Sequence, residues 1–395
     1  MTGPMRGIRV LDLAIMLTGP FAAALLADQG AEVIKVERPD FGDLTRHIGA
    51  RVNGVTALYL VCNRGKRSIA VDAKDPEGAA IIRQLAAGAD VVIQNFRPGV
   101  VDRLGIGYED IRAVNPDVVY TSLSGFGPVG PYSGRGAFDP VVQAYSGMAS
   151  TQADPEIGVP VFLRQTVVDK VTSLYASQAI TAALFARANG AGGQHLELSM
   201  VDAAVSFLWA DSAGNEVLLD SDGSLPSGVI AGFDPIRFAD GWGAVTPTGD
   251  EQWAGFCRAL GVEGYDDPRV ATMAARVANM DLVNEITDLC HAVAANVTMA
   301  DATERFEAAR LAFAMVTPPE ALPDDPHAQA MGLFEEFEHP VAGRIRMPRH
   351  PAQFGATPAQ LTRDAPSLGE HTDEVLTELG LAERISELRA NGVVA

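Results

Sequence analysis

Residues 9–37, RVLDLAIMLTGPFAAALLADQGAEVIKVE, decide the fold. Residues 9–13 form a short apolar run of strand length, and Pro20 opens a helix-length segment that Gly30 ends. Residues 32–36 form a second strand-length run. A strand, a helix and a second strand in this order predict a βαβ unit, in which the two strands are parallel.

The alternation of strand and helix signals continues along the chain. Further strands are predicted at 68–71, 90–93, 117–121 and, beyond a long helix over 166–188, at 195–198. Short apolar strands separated by helices are typical of a parallel sheet with helices on both faces. We therefore predict an α/β fold.

The chain has 395 residues, a length that favours two or three domains. We expect 1–210 to form the first part of a large domain and 211–235, rich in Asp, Ser and Gly, to form a connector. Residues 236–325 read as a smaller α+β domain, and 326–395 as a C-terminal part that returns to the large domain with short strands.

Composition excludes several classes of protein. Hydrophobic residues make up 47% of the chain and charged residues 20%, so a disordered chain is excluded. Lys and Arg number 30 against 50 Asp and Glu, which gives a net charge of −20. Nucleic-acid binding requires a positive surface and is not expected. An anionic ligand must therefore be bound by a few well-placed cations and backbone N–H groups.

The distribution of cysteine and histidine argues against a metal site. The three cysteines show no CxxC spacing, and the seven histidines show no HExxH motif. Separate, unpaired cysteines fit a reducing compartment, so we expect a cytoplasmic protein. No run reaches the roughly 18 apolar residues of a membrane span, and we expect no membrane association.

The segment GFGPVGPYSGRG follows a predicted strand. Gly125, Gly127 and Gly130 match the spacing GxGxxG, but Pro128 and Pro131 oppose the helix that a dinucleotide fingerprint requires. An irregular loop at the carboxyl end of a strand is the better interpretation. Such loops line the ligand crevice of open α/β sheets.

Two aspartates stand at predicted helix starts. Asp169 falls in the first turn of the long helix, where the helix dipole favours a charged carboxylate of the kind that a nucleophile needs. Helix capping would explain Asp169 equally well. Asp139 and Pro140 together predict an N-cap and a first helical position, and this role accounts for Asp139 fully. Asp139 is nevertheless included among the candidate substrate-binding residues.

Basic and polar side chains follow the predicted strands. Arg38 follows the second strand, where nucleotide-binding folds contact ribose or adenine, and Asn95 follows a later one. Lys74, Arg97 and Arg103 are candidates for phosphate contacts in an otherwise acidic protein. For each cation, an ordinary solvated position at the surface is the alternative.

Several short motifs together resemble the class III CoA-transferases, the formyl-CoA transferase or CaiB/BaiF type. They are collinear with that family from about residue 7 to 382, and their order and spacing are far more specific than any one of them. The motifs are Leu17-Thr18-Gly19-Pro20, 30–37, Gly42-Asp43 with Arg46, Asn63-Arg64-Gly65-Lys66, 95–99, 124–127, Gly193-Gln194 and 368–372.

The resemblance implies a Rossmann-like large domain built from both chain ends, a small domain between them, and two subunits interlocked as a homodimer. It implies acyl-CoA and a free carboxylic acid as substrates, with coenzyme A as a substrate, no further cofactor and no metal. The family's nucleophile falls on Asp169. Contacts with coenzyme A fall on Ile15, Arg38, Lys74, Asn95, Phe96, Arg97 and Arg103.

The chemistry implied by the resemblance passes through two covalent species on Asp169, an aspartyl mixed anhydride and then an aspartyl-CoA thioester. The related α-methylacyl-CoA racemases carry a histidine immediately before the aspartate that here is Asp139. This chain has Phe138 there, which cannot exchange a proton, so racemisation is disfavoured. A non-catalytic acyl-CoA-binding protein is a further alternative, against which Asp169 counts.

Two features bear on the substrates. Phe138, Tyr145 and Met200 suggest an apolar acyl pocket, although all three suit an ordinary core equally well. Formyl- and oxalyl-type transferases carry a glycine run over the site, whereas 223–232 has only separated glycines. Oxalate specificity is therefore not expected.

Overall fold

A computed structural model of the chain describes residues 3–153, 157–223, 234–361 and 363–395. The chain divides into two compact units, one formed by Met1–Ser227 with Gly332–Ala395 and the other by Gly228–Met331. The segment 223–232 lies outside the described residues except for Gly223, as does much of the predicted connector.

A six-stranded sheet organises the first unit, and every strand pairing in it is parallel. The predicted parallel α/β arrangement is therefore confirmed, and each predicted strand lies within about three residues of an observed one. The strands are β1 (Arg9–Asp12), β2 (Glu32–Glu37), β3 (Lys66–Ala70), β4 (Val91–Gln94), β5 (Val119–Ser124) and β6 (Gln194–Ser199).

The strand order is β3-β2-β1-β4-β5-β6. This is the order of doubly wound nucleotide-binding sheets, whose ligand crevice opens at the carboxyl ends of the strands where the order reverses. Here that point lies between β1 and β4, so the fold itself indicates where to look for a site.

Helices cover both faces of the sheet because alternate strand residues are apolar on both sides. Up to residue 217 they are α1 (Thr18–Asp28), α2 (Ala57–Asn63), α3 (Pro76–Ala87), α4 (Val100–Arg103), α5 (Tyr108–Val114), α6 (Asp139–Tyr145), α7 (Met148–Thr151), α8 (Val167–Ala186), α9 (Met200–Trp209) and α10 (Gly214–Val217).

Small residues bring α1 and α8 close together. Ala22 and Ala23 of α1 and Ala176 and Ala183 of α8 are buried in one apolar cluster on the sheet. Short side chains let helix axes approach, because less volume separates the two backbones. The long Ala- and Ser-rich helix predicted over 166–188 is thereby confirmed and lies against the helix that follows β1.

Three charged side chains lie inside the sheet. Asp12, Lys35 and Lys66, from β1, β2 and β3, are fully buried. The Lys66 ammonium donates to Asp12 Oδ2 at 2.7 Å and to the carbonyl of Pro20 at 2.8 Å. Buried charges of this kind persist only when they are paired, so the three residues form a unit.

The second unit has a three-stranded antiparallel sheet with the order Phe313–Met315, Trp242–Val245 and Ile236–Arg237. Phenylalanines fill its core. All three cysteine thiols are free, although Cys257 and Cys290, distant in sequence, lie with Sγ atoms 3.9 Å apart in this unit. Its helices are α11 (Asp250–Leu260), α12 (Met273–Ala278), α13 (Met280–Ala294), α14 (Met299–Ala308) and α15 (Pro326–Ala330).

The C-terminal residues pack within the first unit. Phe334–His339 and Gly343–Pro348 form an antiparallel pair, and α16 (Thr372–Glu378) and α17 (Ile385–Ala390) follow. The hydroxyl of Thr372 accepts the N–H of Ala70 from the edge strand β3. A short strand pair also joins Arg51–Val52 to Val55–Thr56. None of the described helices is both long enough and apolar enough to cross a bilayer.

Candidate functional site

A cavity of about 340 Å³ opens at the carboxyl edge of the sheet, where β1 and β4 are neighbours. Ile15 follows β1 and Asn95 follows β4, and the two residues join the strand ends. The Asn95 side chain accepts the N–H of Ile15 at 2.9 Å and donates to its carbonyl at 2.7 Å. These two hydrogen bonds join the segments after β1 and β4 at the point where the strand order reverses, which is where ligand crevices of such sheets lie.

The cavity wall combines apolar, polar and cationic groups. Its lining residues come from the segments after β1, β4 and β5, from the first turn of α8 and from the start of α9. They are Ile15, Met16, Thr18, Asn95, Phe96, Arg97, Pro98, Val100, Leu123, Ser124, Gly125, Ser133, Arg135, Gly136, Ala137, Phe138, Asp169 and Met200.

Asp169 reaches this wall from the first turn of α8. Its carboxylate accepts a hydrogen bond from the Thr18 hydroxyl, with 2.6 Å between Thr18 Oγ1 and Asp169 Oδ1. Thr18 begins α1, so the partner belongs to a different helix. The side chain is therefore held toward the cavity by a neighbouring element, and simple capping of its own helix does not describe its contacts.

The environment of Asp169 changes its acidity. Burial raises the pKa of this carboxyl from 3.8 to about 6, the Thr18 hydrogen bond opposes that rise, and the nearby charge of Asp139 adds to it. At pH 7 the group is still mostly ionised, but it is a stronger base than an exposed aspartate. A more basic carboxylate is a better nucleophile, provided that it remains charged.

The predicted N-cap role of Asp139 is wrong. Phe138, in extended backbone conformation, occupies the N-cap position of α6, and Asp139 is the first helical residue. The Asp139 carboxylate is 2% exposed and accepts from the Gln143 amide at 2.5 Å and from the N–H of Asp169 at 3.0 Å. The Asp139 carboxylate therefore pairs with an N–H in the first turn of α8, which has no acceptor within its own helix. Asp139 thus supports the site from behind and does not line the cavity.

A buried ion pair holds the segment between β1 and α1. Met16 has a positive φ of 65°, which is uncommon for a side chain of this kind. Its N–H donates to Asp43 Oδ1 at 3.2 Å, and Asp43 Oδ2 lies 2.9 Å from the Lys35 ammonium. The motif Gly42-Asp43 therefore supports the turn that delivers Thr18 to the cavity.

The predicted coenzyme A contacts separate into two groups. Ile15, Asn95, Phe96 and Arg97 line the cavity. The rest lie outside it: Arg38, exposed after β2 and paired with Asp40; Lys74, exposed beyond the end of β3; and Arg103, exposed at the end of α4.

Arg38 and Lys74 share an electrostatic environment. The Asp40 carboxylate, which pairs with Arg38 at 2.6 Å, has its pKa lowered by Arg38 chiefly and by Lys74 to a lesser extent. The two cations follow neighbouring strands, β2 and β3, at the same edge of the sheet as the cavity. They lie on the β2 side of β1, and the cavity opens between β1 and β4.

The structure brings two of the three residues suggested for an acyl pocket to the cavity. Phe138 and Met200 line the cavity, whereas Tyr145 does not. Tyr145 instead packs edge to face against Phe126 and Tyr132, with ring centroids 5.2 and 5.7 Å away. Aromatic rings prefer this arrangement, and the Gly- and Pro-rich loop brings the two partner rings to Tyr145.

Thr18 and Arg135 line the cavity, although the sequence assigned neither of them a role. Thr18 lies inside the motif Leu17-Thr18-Gly19-Pro20, and the available signal was a hydroxyl between the first predicted strand and the predicted helix. Arg135 lies in the irregular loop 125–136, whose irregularity the structure confirms. Its guanidinium stacks over the Tyr132 ring at 3.7 Å and makes no ion pair within the described residues. Arg135 could have been identified as a cation inside a loop that was predicted to line the ligand crevice.

The chemistry open to the site follows from its ionisable groups. Among the described residues that line the cavity, Asp169 is the one carboxylate, and Arg97 and Arg135 are cations that stay charged. In the described part of the chain, no cluster of three or more His, Cys, Asp or Glu could hold a metal ion. The arrangement suits attack by a carboxylate on the carbonyl of an anionic substrate.

Comparison with known proteins gives consistent results over the whole length. The model of CoA-transferase family III matches residues 5–372. A succinate–glutarate CoA-transferase of Agrobacterium fabrum is 35% identical, over 96% of this chain and 97% of its own. A formyl-CoA:oxalate CoA-transferase of Bradyrhizobium is 30% identical, over 100% of this chain and 98% of its own.

A solved structure agrees with these relatives. The crystal structure of a CaiB/BaiF family protein from Brucella suis superposes with a TM-score of 0.82 at 31% sequence identity, and covers 96% of this chain and 100% of its own. The resemblance inferred from the motifs is therefore confirmed by the family model, by relatives and by fold. The chain belongs to CoA-transferase family III and is a CoA-transferase.

Proposed function

We propose that the protein transfers coenzyme A from an acyl-CoA thioester to a free carboxylic acid, with Asp169 as the nucleophile. One observation carries the proposal: Asp169 is the carboxylate among the described cavity-lining residues, and the Thr18 hydroxyl holds it there at 2.6 Å. Its pKa of about 6 leaves it charged at neutral pH and more nucleophilic than an exposed aspartate.

The reaction proceeds by exchange of activated acyl bonds. Asp169 attacks the thioester carbonyl, forms a mixed anhydride and displaces CoA thiolate. The thiolate attacks the aspartyl carbonyl, which releases the donor acid and leaves an aspartyl-CoA thioester. The acceptor carboxylate then attacks the aspartyl carbonyl, expels CoA thiolate and forms a second mixed anhydride. The thiolate attacks the acceptor's acyl carbonyl in this anhydride, which gives the new acyl-CoA and releases Asp169 as its carboxylate. Each bond broken is similar in energy to the bond formed, so ATP is not required.

Coenzyme A would lie along the carboxyl edge of the sheet. Its thioester would reach Asp169 in the cavity, while its phosphates would contact Arg97 and Arg103 after β4, and Arg38 and Lys74 beyond β2 and β3. The span from β3 to β4 crosses three strand spacings, about 14 Å, which suits an elongated ligand. Within the described residues, Arg97 and Arg103 make no ion pair of their own.

Short dicarboxylic acids are the first acyl groups to test. A relative is named for succinate and glutarate, and here Arg135 brings a second cation to the wall that holds Asp169. A guanidinium can bind the distal carboxylate of such an acid by two parallel hydrogen bonds. Phe138, Leu123 and Met200 supply apolar surface for the intervening methylenes.

Racemisation lacks a second base. It requires two groups that exchange a proton on opposite sides of one carbon. The described lining residues include no histidine, lysine, cysteine or tyrosine, and Phe138 occupies the position where the racemases carry histidine. A passive acyl-CoA-binding role remains the alternative, and it predicts no covalent chemistry at Asp169.

The proposal is tested by trapping the covalent species. The native protein is mixed with a panel of acyl-CoA esters, quenched with hydroxylamine and digested, and the peptides are analysed by mass spectrometry. We expect a hydroxamate on Asp169 with the productive donor, and new acyl-CoA when an acceptor acid is added. Binding without any adduct on Asp169 would support the passive role instead.

The protein is further proposed to act as the homodimer that the family resemblance implies. Large apolar side chains are exposed on α8 and α9, among them Phe185, which is 73% exposed, and Phe207, which is 50% exposed. Exposed apolar surface of this kind marks contact surfaces in folded proteins. Light scattering on the purified chain should give twice its mass of 41.6 kDa, and a single-chain mass at working concentration would contradict the proposal.

A further inference from the structure

Thr18 is held at two points against α8. Its hydroxyl donates to Asp169 Oδ1 at 2.6 Å, and its carbonyl accepts a hydrogen bond from the Ser173 hydroxyl at 2.7 Å. Ser173 lies one helical turn after Asp169 and also contacts the Asp169 carbonyl at 2.8 Å. Thr18 is 5% exposed, so its hydroxyl has little competition from water. The donor is therefore fixed in place before any substrate binds.

This hydrogen bond distinguishes the two carboxylate oxygens. Oδ1 is engaged by Thr18, which leaves Oδ2 to form the bond to the acyl carbon. In the mixed anhydride, Oδ2 becomes the bridging oxygen and Oδ1 the carbonyl oxygen of the aspartyl group. When thiolate attacks Cγ, a C–S bond forms and the electron pair of the C=O bond moves to Oδ1. Collapse restores that C=O bond and breaks Cγ–Oδ2, so the donor acid leaves as its carboxylate with Oδ2.

The same oxygen becomes negative again in the next half of the reaction. The acceptor carboxylate attacks Cγ of the aspartyl thioester, charge again develops on Oδ1, and collapse expels CoA thiolate. A fixed donor aimed at an oxygen that gains charge lowers the barrier without reorganisation. The first step differs, because attack of Oδ2 on acyl-CoA places the developing charge on the substrate oxygen.

We infer that the Thr18 hydroxyl is a catalytic oxyanion donor to Asp169 Oδ1 during formation and breakdown of the aspartyl-CoA thioester. The inference rests on the proposed function of Asp169 and adds the group that stabilises the charge on it. The donor is the Thr18 side-chain hydroxyl and not a backbone N–H group.

Substitutions at Thr18, with one control at Thr172, test the hydroxyl. Thr18→Val removes it with little change in volume, and Thr18→Ser retains it. Thr172→Val is the matched control: Thr172 is also buried, in α8, but its hydroxyl donates to the Val168 carbonyl and not to the carboxylate. Thr18→Ala is a second hydroxyl-free variant, to be compared with Thr18→Ser if the valine chain does not fold.

We expect Thr18→Val to lower kcat by about 100-fold, the loss typical of one oxyanion donor, with KM for acyl-CoA nearly unchanged. Thr18→Ser should recover most of that loss because it retains the hydroxyl, and Thr172→Val should stay near the native rate. In rapid-quench mass spectrometry, the CoA adduct on Asp169 should decrease relative to the acyl adduct. The acid limb of the rate profile should move to higher pH, because the hydrogen bond favours the charged carboxylate.

The outcomes separate this inference from the function on which it depends. If the native chain forms an Asp169 adduct but the hydroxyl-free variants match Thr172→Val in kcat and in adduct ratio, the role of Thr18 is overturned and the transferase proposal stands. If the native chain forms no adduct with any CoA ester, both are overturned. Equal losses of kcat in Thr18→Ser and Thr18→Val would also overturn the role of the Thr18 hydroxyl, because serine retains that donor.

Discussion

Replacing Asp169 by asparagine should reduce CoA transfer by at least about 10⁴-fold, the order of loss seen when a covalent nucleophile is removed. The amide has the size of the carboxylate, and its oxygen can still accept the Thr18 hydrogen bond, but it carries no charge and attacks thioesters poorly. Steady-state CoA transfer and the yield of the trapped Asp169 peptide are the two measurements. Asp169→Ala should be run beside it, since slow deamidation of asparagine regenerates aspartate.

The stability of Asp169→Asn shows whether its loss of CoA transfer comes from the missing nucleophile or from a damaged fold. The pKa of Asp169 is raised to about 6 in the fold from 3.8, so the fold favours its protonated form. Stability is therefore lost as pH rises through that window, and at pH 7 the charge is a net cost. After allowance for solvent screening at this partly exposed group, Asp169→Asn should stabilise the fold by about 1 kcal/mol at pH 7. Residual transfer above a hundredth of native would exclude Asp169 as the nucleophile.

Replacing Asp12 by alanine should destabilise the fold by about 3–5 kcal/mol, because it removes the anion from a buried pair and leaves the cation behind. Asp12 Oδ2 lies 2.7 Å from the Lys66 ammonium, and both side chains are fully buried. Urea unfolding followed by circular dichroism measures the loss. Asp40→Ala is the control, since Asp40 pairs with Arg38 in solvent and its removal should change stability far less.

The pH dependence adds a second check on Asp12. Burial lowers the pKa of Lys66 to about 8 even with Asp12 present. Without that carboxylate the ammonium is still easier to deprotonate, and a neutral amine costs less to bury. The deficit of Asp12→Ala relative to native should therefore be smaller at pH 9 than at pH 7. A deficit that is small at both values, comparable with that of Asp40→Ala, would show that the buried pair contributes little.

Local signals were sufficient for the elements of the sheet. Strand-length apolar runs bounded by glycine and proline are read from neighbouring residues alone, and this is why β1, β2 and β4 occur almost where predicted. The same local logic failed at Asp139. An aspartate before proline at a helix start has a strong capping preference, yet its carboxylate serves the N–H of Asp169, thirty residues away in sequence.

Buried charge was beyond local reasoning. Lys35 stands between apolar residues of β2, and Lys66 begins β3, where Arg67 and Ser68 follow it, so neither sequence pattern indicates a buried ammonium. Their burial depends on Asp12 and Asp43, which reach them only when three parallel strands and the following turn are assembled. A lone buried ammonium would be too costly to retain, so pairing decides the outcome.

By itself, the sequence determined the parallel sheet, the helix that carries Asp169 and, through collinear motifs, the family. Tertiary structure alone decided what surrounds that carboxylate: Thr18, 151 residues away, donates to one oxygen and leaves the other for chemistry. The physical reason is the distance in sequence over which each property is set. Strand and helix preferences are set within a few residues, whereas the acidity and orientation of a buried carboxylate depend on groups that only folding brings within hydrogen-bond distance.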